Sequence, residues 1–255
     1  MLAIVAALKD EISEYLSRGK FQVTATEGRL RIYQSEQVPE VVVSEGGVGK
    51  ELAQEGTRQL VERFRPDAVI SVGFAGGARN GAKTGDGFFC DRLVAVDGPL
   101  YMWEKSAAVE HLDHTLMDRI RANIPGGAAE YQVGACLTVP QFISNSSMKA
   151  WLGRTFEVRL IDMESYWVCR MAAGHGVSHL VARAVLDPVK RSLPTYVSRV
   201  AATGRPGLWR TLTYALSRPS EIPGLIRLAE QAKAASASLD ILLNTIVKHA
   251  LEPRE

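Results

Sequence analysis

Several features are scarce in this 255-residue chain, and each shortage excludes a class of protein. The three cysteines, Cys90, Cys136 and Cys169, stand far apart and form no CxxC or Cys/His spacing. A disulfide scaffold and a structural zinc site are therefore not expected. We predict buried or free thiols in a reducing compartment. The formal net charge of +2 is too small to indicate a nucleic-acid partner.

Long apolar runs are also missing. The apolar opening, residues 1–8, stops at Lys9, Asp10 and Glu11. It is shorter than the core of a signal peptide, and a membrane span needs about 20 apolar residues. We therefore expect a cytoplasmic protein whose first residues form a buried strand.

What the chain does contain is an alternation of strand-like and helical patterns without a break in composition. Strand-like apolar runs occupy residues 2–8, 21–25, 30–33, 41–44, 68–72, 88–96, 131–139, 158–161 and 178–186. Helical spacing occupies residues 50–64, 111–122, 148–152, 164–173 and 225–250. The alternation predicts one α/β domain over residues 1–255.

One stretch, residues 191–224, departs from this pattern, and we call it the basic amphipathic segment. It is rich in glycine and proline, yet Trp209, several leucines and the cations Arg205, Arg210 and Arg218 lie within it. Such a segment is typical of a flap or an oligomer contact. The alternative is a peripheral contact with the inner face of a membrane or with a lipid substrate.

Four short motifs place acids or glycines at the ends of strand-like runs. They are residues 7–11 (ALKDE), 71–77 (SVGFAGG), 161–164 (IDME) and 183–187 (RAVLD). Ligands of open α/β sheets bind at the carboxyl ends of the strands. Acids that converge there can activate a water, bind a sugar and protonate a leaving group. Together these tasks indicate cleavage of a nucleoside.

At these motifs the sequence resembles the nucleoside phosphorylase and nucleosidase superfamily. Within it, the chain is most similar to bacterial 5'-methylthioadenosine/S-adenosylhomocysteine nucleosidases. The resemblance covers nearly the whole chain except the basic amphipathic segment, and it rests on the GFAGG and DME blocks together. It implies a three-layer α/β/α sandwich with a mixed central β-sheet. It also implies a homodimer that needs no metal or organic cofactor.

The resemblance further implies roles for individual residues. Glu11 would activate the attacking water, Arg183 would help to hold that water and carboxylate, and Asp187 would protonate the purine at N7. The substrate-binding residues that it implies are Met163 and Glu164 at the ribose, Phe142 and Ile143 at the base, Ala75 and Gly76 in the same site, and Leu8 and Val48 near the 5' substituent.

Charge favours hydrolysis over phosphorolysis. Phosphorylases of this superfamily often carry an arginine where this chain has Ser71, and a glycine-rich phosphate loop where it has residues 9–11. A carboxylate directed at the nucleophile repels phosphate and suits water. A purine nucleoside phosphorylase stays an alternative.

Departures from the family pattern leave the substrate open. Phe74 stands where serine or threonine is usual, Leu186 replaces the serine before Asp187, and Pro188 stiffens the loop that follows. The basic amphipathic segment resembles an extension of adenosylhopane nucleosidases in hopanoid biosynthesis, which is one alternative. A non-catalytic nucleoside-binding or regulatory protein is another, because Phe74 and Leu186 depart from the family pattern. Each acid taken alone could also be a helix-terminal or turn residue.

Overall fold

A computed structural model of the protein describes residues 1–112, 114–122, 131–191 and 222–251. Residues 192–221, which make up most of the basic amphipathic segment, lie outside the described residues. The expectations for Trp209 and its neighbours therefore lie outside them too.

The described strands form one mixed sheet. They are β1 (Leu2–Ala6), β2 (Gln22–Glu27), β3 (Leu30–Gln34), β4 (Val41–Glu45), β5 (Ala68–Gly77), β6 (Gly87–Phe89), β7 (Arg92–Ala95), β8 (Ala108–His111), β9 (Gln132–Val133), β10 (Cys136–Thr138), β11 (Leu160–Asp162) and β12 (Ser178–Asp187). The described helices are α1 (Ser13–Arg18), α2 (Lys50–Phe64), α3 (Trp103–Ser106), α4 (His114–Ala122), α5 (Ser146–Thr155), α6 (Ser165–Gly174) and α7 (Ile222–Leu251), with short 3-10 turns at Lys9–Glu11 and Leu100–Met102.

The sheet branches at the ten-residue strand β5. Its main path runs β2-β3-β4-β1-β5-β11-β10-β7-β8, and β12 pairs with β5 off this path. Strands β4, β1, β5 and β12 are mutually parallel, so their carboxyl ends meet at one edge. The last two residues of β5, Gly76 and Gly77, pair antiparallel with β11. The branch therefore places β11 beside the last residues of β5.

Helices cover both faces of the sheet. Ala3 and Val5 of β1 lie in an apolar cluster with residues of α2 and α6. Leu2, Ile4 and Ala6 face the opposite way, into a cluster with α1, α4 and α7. Successive side chains of a strand point to opposite faces, and a strand covered on both faces is apolar throughout. This arrangement confirms the predicted three-layer α/β/α sandwich.

Several predicted boundaries are wrong. We expected a glycine turn after residue 72, but β5 continues to Gly77 because β12 pairs with it along almost its whole length. The runs at residues 88–96 and 131–139 are each divided into two short strands. His111 ends β8 instead of beginning a helix. Pro223 and Gly224, which suggested a turn, lie in the first turn of α7, where proline is tolerated.

Two further findings concern the chain as a whole. The three cysteines are buried and free, which confirms the thiol prediction. Among the helices that the structure describes, none combines the length and apolarity that a membrane crossing requires.

Candidate active site

Glu11 lies in the 3-10 turn directly after β1 and is 5% exposed. Its Oε2 accepts hydrogen bonds from the backbone N–H groups of Ala7 (2.9 Å) and Leu8 (2.8 Å). Its Oε1 accepts one from the N–H of Phe74 on β5 (2.9 Å). Burial raises the pKa of Glu11, although these backbone donors and the charge of Arg183 lower it. The carboxyl group is thus fixed at both oxygens against the edge of the sheet.

The first glycine of the GFAGG block makes this placement possible. A Cβ atom at Gly73 would lie 2.7 Å from Oε1 of Glu11, which is too close for any side chain. Gly76, three residues further along β5, approaches the second acid, because a Cβ there would lie 3.4 Å from Oδ1 of Asp187. The block therefore lies close to both carboxyl groups. Two or three strand residues separate their contact points, or about 7–10 Å.

Arg183, in the middle of β12, is directed at other partners than those expected. Its Nε donates to Oδ2 of Asp162 (2.9 Å), its Nη2 to the hydroxyl of Ser71 (2.8 Å) and its Nη1 to the carbonyl of Ala182 (2.9 Å). None of these three hydrogen bonds goes to Glu11, on which Arg183 acts through its charge, and its expected help in holding the attacking water and carboxylate stays a prediction. Burial alone would lower the pKa of Arg183, but Asp162 raises it, so the guanidinium stays charged.

Asp162 is a site residue that the sequence indicated only as a helix-terminal acid. Its Oδ1 accepts from the hydroxyl of Thr138 (2.8 Å), and its Oδ2 accepts from the N–H (3.1 Å) and the hydroxyl of Ser165. It thus caps the start of α6 and at the same time neutralises Arg183. The side chain joins β10, β11, β12 and α6 at the edge where the acids lie.

Glu164 is the half-buried residue that precedes α6. Its Oε1 accepts a hydrogen bond from the N–H of Gly49 (2.9 Å), in the glycine turn after β4. Its Oε2 lies 3.3 Å from the N–H of Met163, which donates to it. A small cavity between β1, β5, α2 and α6 lies beside this carboxyl group, and Ala7, Gly47 and Ser71 are among its lining residues.

The charges at this edge do not balance. Among the residues that the structure describes, three carboxyl groups, those of Glu11, Asp162 and Glu164, face one buried guanidinium group, that of Arg183. Burial, together with the negative charges of Asp162 and Glu11, raises the pKa of Glu164 to about 8. Around neutral pH the empty site therefore retains a proton, and a positive charge placed among these acids is stabilised.

Asp187 is the last residue of β12 and is 2% exposed. The ammonium group of Lys149, a buried residue of α5, donates to its Oδ2. Burial raises the pKa of Asp187 to about 6, although Lys149 lowers it. This lysine was not predicted. The sequence feature that could have indicated it is the spacing of three residues between Lys149 and Leu152, which puts the lysine on the buried face of α5.

The remaining predicted residues lie near the same edge in varied surroundings. Ala75 is buried and Gly76 half-buried on β5, Leu8 is exposed after β1, Val48 is half-buried after β4, and Phe142 and Ile143 are half-buried between β10 and α5. Ile143 and Met163 also pack against the apolar cluster beneath α5. The structure thus joins Glu11, Glu164 and Asp187 through β5 and its neighbours, whereas the contacts expected of these other residues stay predictions.

The described part of the site contains no evident set of metal ligands. Within the described ranges, no three His, Cys, Asp or Glu side chains are grouped in a way that could hold a metal ion.

The chain is similar to known proteins in sequence and in fold. The model of the family described as "Phosphorylase superfamily" matches residues 1–203. A 5'-methylthioadenosine/S-adenosylhomocysteine nucleosidase of Listeria welshimeri is 26% identical over 213 residues, covering 73% of this chain and 85% of that protein.

Solved structures show the same fold at lower identity. A nucleosidase of the same name from Neisseria meningitidis, in complex with methylthio-immucillin-A, has a TM-score of 0.72 at 22% identity and covers 97% of this chain and 98% of its own. The futalosine hydrolase of Helicobacter pylori has a TM-score of 0.73 at 16% identity and covers 97% of each chain.

Proposed function

The chain belongs to the phosphorylase superfamily, and from that premise we propose that it hydrolyses the N-glycosidic bond of a 5'-substituted adenosine and releases adenine. The observation that carries the proposal is the placement of Glu11, Glu164 and Asp187 around one stretch of β5. The activity in the name of the Listeria relative supports the same assignment. The proposed substrate is of the methylthioadenosine or S-adenosylhomocysteine type.

Glu11 is the proposed base. In its ionised form it takes a proton from the water that attacks the anomeric carbon. The three backbone N–H donors and the charge of Arg183 favour that form against burial. Since both carboxylate oxygens are held, the attacking water meets a base in a fixed position.

Asp187 is the proposed acid. Its pKa of about 6 leaves a useful fraction of the carboxyl group protonated near neutral pH. Protonation of the purine at N7 makes adenine a better leaving group. Acid catalysis of this kind contributes about 10²- to 10⁴-fold.

Glu164 is the proposed ribose ligand. Its carboxylate can accept hydrogen bonds from the sugar hydroxyls, and Met163 beside it would contact the ring. Cleavage of such a bond develops positive charge on the sugar. The excess of carboxyl groups over guanidinium at this edge stabilises that charge.

The remaining roles complete the proposed site. Phe142 and Ile143 would bind the base, and Ala75 and Gly76 would form the adjacent wall. Leu8 and Val48 would contact the 5' substituent.

Hydrolysis is proposed over phosphorolysis because the described part of the site offers no uncommitted arginine for phosphate. Among the described residues, the arginine buried at this edge is Arg183, and each of its three nitrogens already donates a hydrogen bond, to Asp162, Ser71 and a backbone carbonyl. A free guanidinium fork would be needed to bind phosphate oxygens in two places.

The same proposal extends to the 5' substituent of the substrate, the oligomeric state and the cellular location of the protein. We propose a cytoplasmic homodimer that acts without a cofactor. A lipid-linked adenosine of the adenosylhopane type, with the basic amphipathic segment against the lipid or the membrane, is the alternative for the substrate.

The test is an assay of adenine release, followed by chromatography, from methylthioadenosine, S-adenosylhomocysteine, futalosine and a lipid-linked adenosine, each with and without phosphate. We expect release from a 5'-thio substrate without phosphate. Glu11→Gln and Asp187→Asn should each lower kcat at least about 100-fold, whereas the exposed neighbour Asp10→Asn serves as the control. Release that requires phosphate would indicate a phosphorylase. Binding without turnover would indicate a nucleoside-binding protein.

A further inference from the structure

Lys149 is a buried cation that the proposed reaction has not yet used. It is 1% exposed and lies on α5, opposite the end of β12. Its ammonium group donates to Oδ2 of Asp187, to the carbonyl of Pro188 (3.1 Å) and to the carbonyl of Arg191 (2.7 Å). A lysine ammonium has three N–H donors. All three therefore have acceptors, and the buried charge is compensated by hydrogen bonds and by one carboxylate.

A role limited to holding the loop together does not require a charge at this position. A neutral donor could bind the two carbonyls at lower cost, because burying an ammonium group carries a large desolvation penalty. The charge does matter for Asp187, which is 2% exposed and would otherwise face only burial. Among the described residues, Lys149 is the charged group that acts on Asp187, while Gly76 on the opposite side is uncharged.

We propose that Lys149 is a positioning residue of the reaction: it holds Asp187 by Oδ2, so that Oδ1 faces the leaving base, and it stabilises the carboxylate that forms when Asp187 gives up its proton. The inference rests on the proposed function.

The step balances as follows in atoms and charge. The O–H bond of Asp187 breaks as the N7–H bond of the purine forms. The C1'–N9 bond breaks, and its electron pair goes to the purine. The water oxygen bonds to C1', and Glu11 takes the proton of that water. Lys149 keeps its own proton throughout, and its positive charge meets the new negative charge on Asp187.

The two carbonyl contacts extend this role to the loop. Pro188 follows the acid directly, and Arg191, four residues after the acid, begins the basic amphipathic segment. A single ammonium group therefore fixes the acid and the start of the segment relative to α5. We expect small errors in this geometry to affect the chemical step more than substrate affinity.

The test compares the pH dependence of adenine release by the wild type, Lys149→Met and Lys149→Arg, with Lys190→Met as a matched control. Lys190 is exposed in the same loop. The protonated acid is needed, so activity falls as the pH rises through the pKa of Asp187. Without the ammonium group, the pKa of Asp187 rises. The alkaline limb of the pH–rate profile should therefore shift to higher pH by about one pH unit or more. We expect kcat to fall by about 10- to 100-fold with little change in KM. Lys149→Arg should restore part of the rate.

A second substrate separates a defective acid from a misfolded protein. A 4-nitrophenyl riboside has a leaving group that needs no proton, so Lys149→Met and Asp187→Asn should both cleave it at a rate near that of the wild type. An alkaline limb that does not move in Lys149→Met would overturn the inference. Loss of activity on both substrates in Lys149→Met would overturn it as well, because the lysine would then serve folding alone. A wild type that releases adenine from no substrate would instead refute the proposed function.

Discussion

At the scale of single residues, Glu11 packs directly against Gly73, with no room for a Cβ atom between them. The absence of a side chain at Gly73 lets the carboxyl group reach the N–H of Phe74. Glycine is required here by space, because β5 is an ordinary strand at this point and no turn needs its conformational freedom.

Gly73→Ala should therefore displace Glu11 and lower kcat by about 100-fold or more, with a smaller effect on thermal stability. Gly174→Ala is the control, because a Cβ atom there meets no atom within 4 Å. The measurement is adenine release at saturating substrate together with Tm. Full activity in Gly73→Ala would show that the observed position of Glu11 is not the one used in the reaction.

Ionisation of the Glu164 carboxyl group destabilises the folded protein, so the effect of this residue on stability depends on pH. Its pKa of about 8 in the folded chain lies above its ordinary value of 4.5, so between these limits the folded state binds more protons than the unfolded state. The stability of the ligand-free protein should fall as the pH rises from about 4.5 to about 8.

Glu164→Gln should remove this dependence. We expect the variant to gain several degrees in Tm over the wild type at pH 8 and almost nothing at pH 5, while adenine release is lost. Glu51→Gln, an exposed substitution on α2, is the control. An equal difference in Tm at both pH values would contradict the charge imbalance described for this edge.

Some of these site residues could be predicted from the sequence and others could not, for a physical reason. Glu11, Glu164 and Asp187 each follow a strand-like run, so their common position was predictable. Asp162 pairs with Arg183, 21 residues away in the sequence, and Lys149 pairs with Asp187, 38 residues away. A lysine on a helix is usually exposed, and only the completed fold shows that Lys149 is buried against an acid.

At the scale of elements, the pair of Asp162 and Arg183 joins strands β11 and β12 to the start of α6. Both side chains are almost fully buried. Loss of one member of such a pair leaves a buried charge without its partner, and this typically costs about 3–5 kcal/mol.

Asp162→Asn should therefore lower the free energy of unfolding by about 3 kcal/mol, with a clear fall in Tm and in the denaturant midpoint. The surface pair of Arg58 and Glu62 on α2 provides the comparison. Arg58→Ala should leave Tm almost unchanged, because exposed ion pairs contribute little. Equal effects of the two substitutions would contradict the assignment of the buried pair.

Periodicity predicted long elements better than short ones. α2 was predicted at its observed limits, since its apolar residues recur at helical spacing over four turns. The division of residues 88–96 into β6 and β7 was not predictable, because the first of these strands pairs with β12 and the second with β10. The continuation of β5 to Gly77 depends on β12 in the same way.

At the scale of the whole molecule, the three-layer sandwich explains why remote motifs share one site. Parallel strands β4, β1, β5 and β12 end at the same edge, and the branch at β5 adds β11. The alternation of elements predicted the fold class and the edge. That residues 1–255 form a single domain stays a prediction.

The most direct test of the account is a crystal structure of the protein with methylthio-immucillin-A, the ligand in the Neisseria meningitidis structure. The account predicts one bound molecule with Glu164 at the hydroxyls of its sugar-like ring, Asp187 at N7 of its base and Glu11 at a water below the ring. Each contact should be about 2.6–3.2 Å long. A ligand that contacts only one of the three carboxyl groups, or that binds at another edge of the sheet, would contradict it.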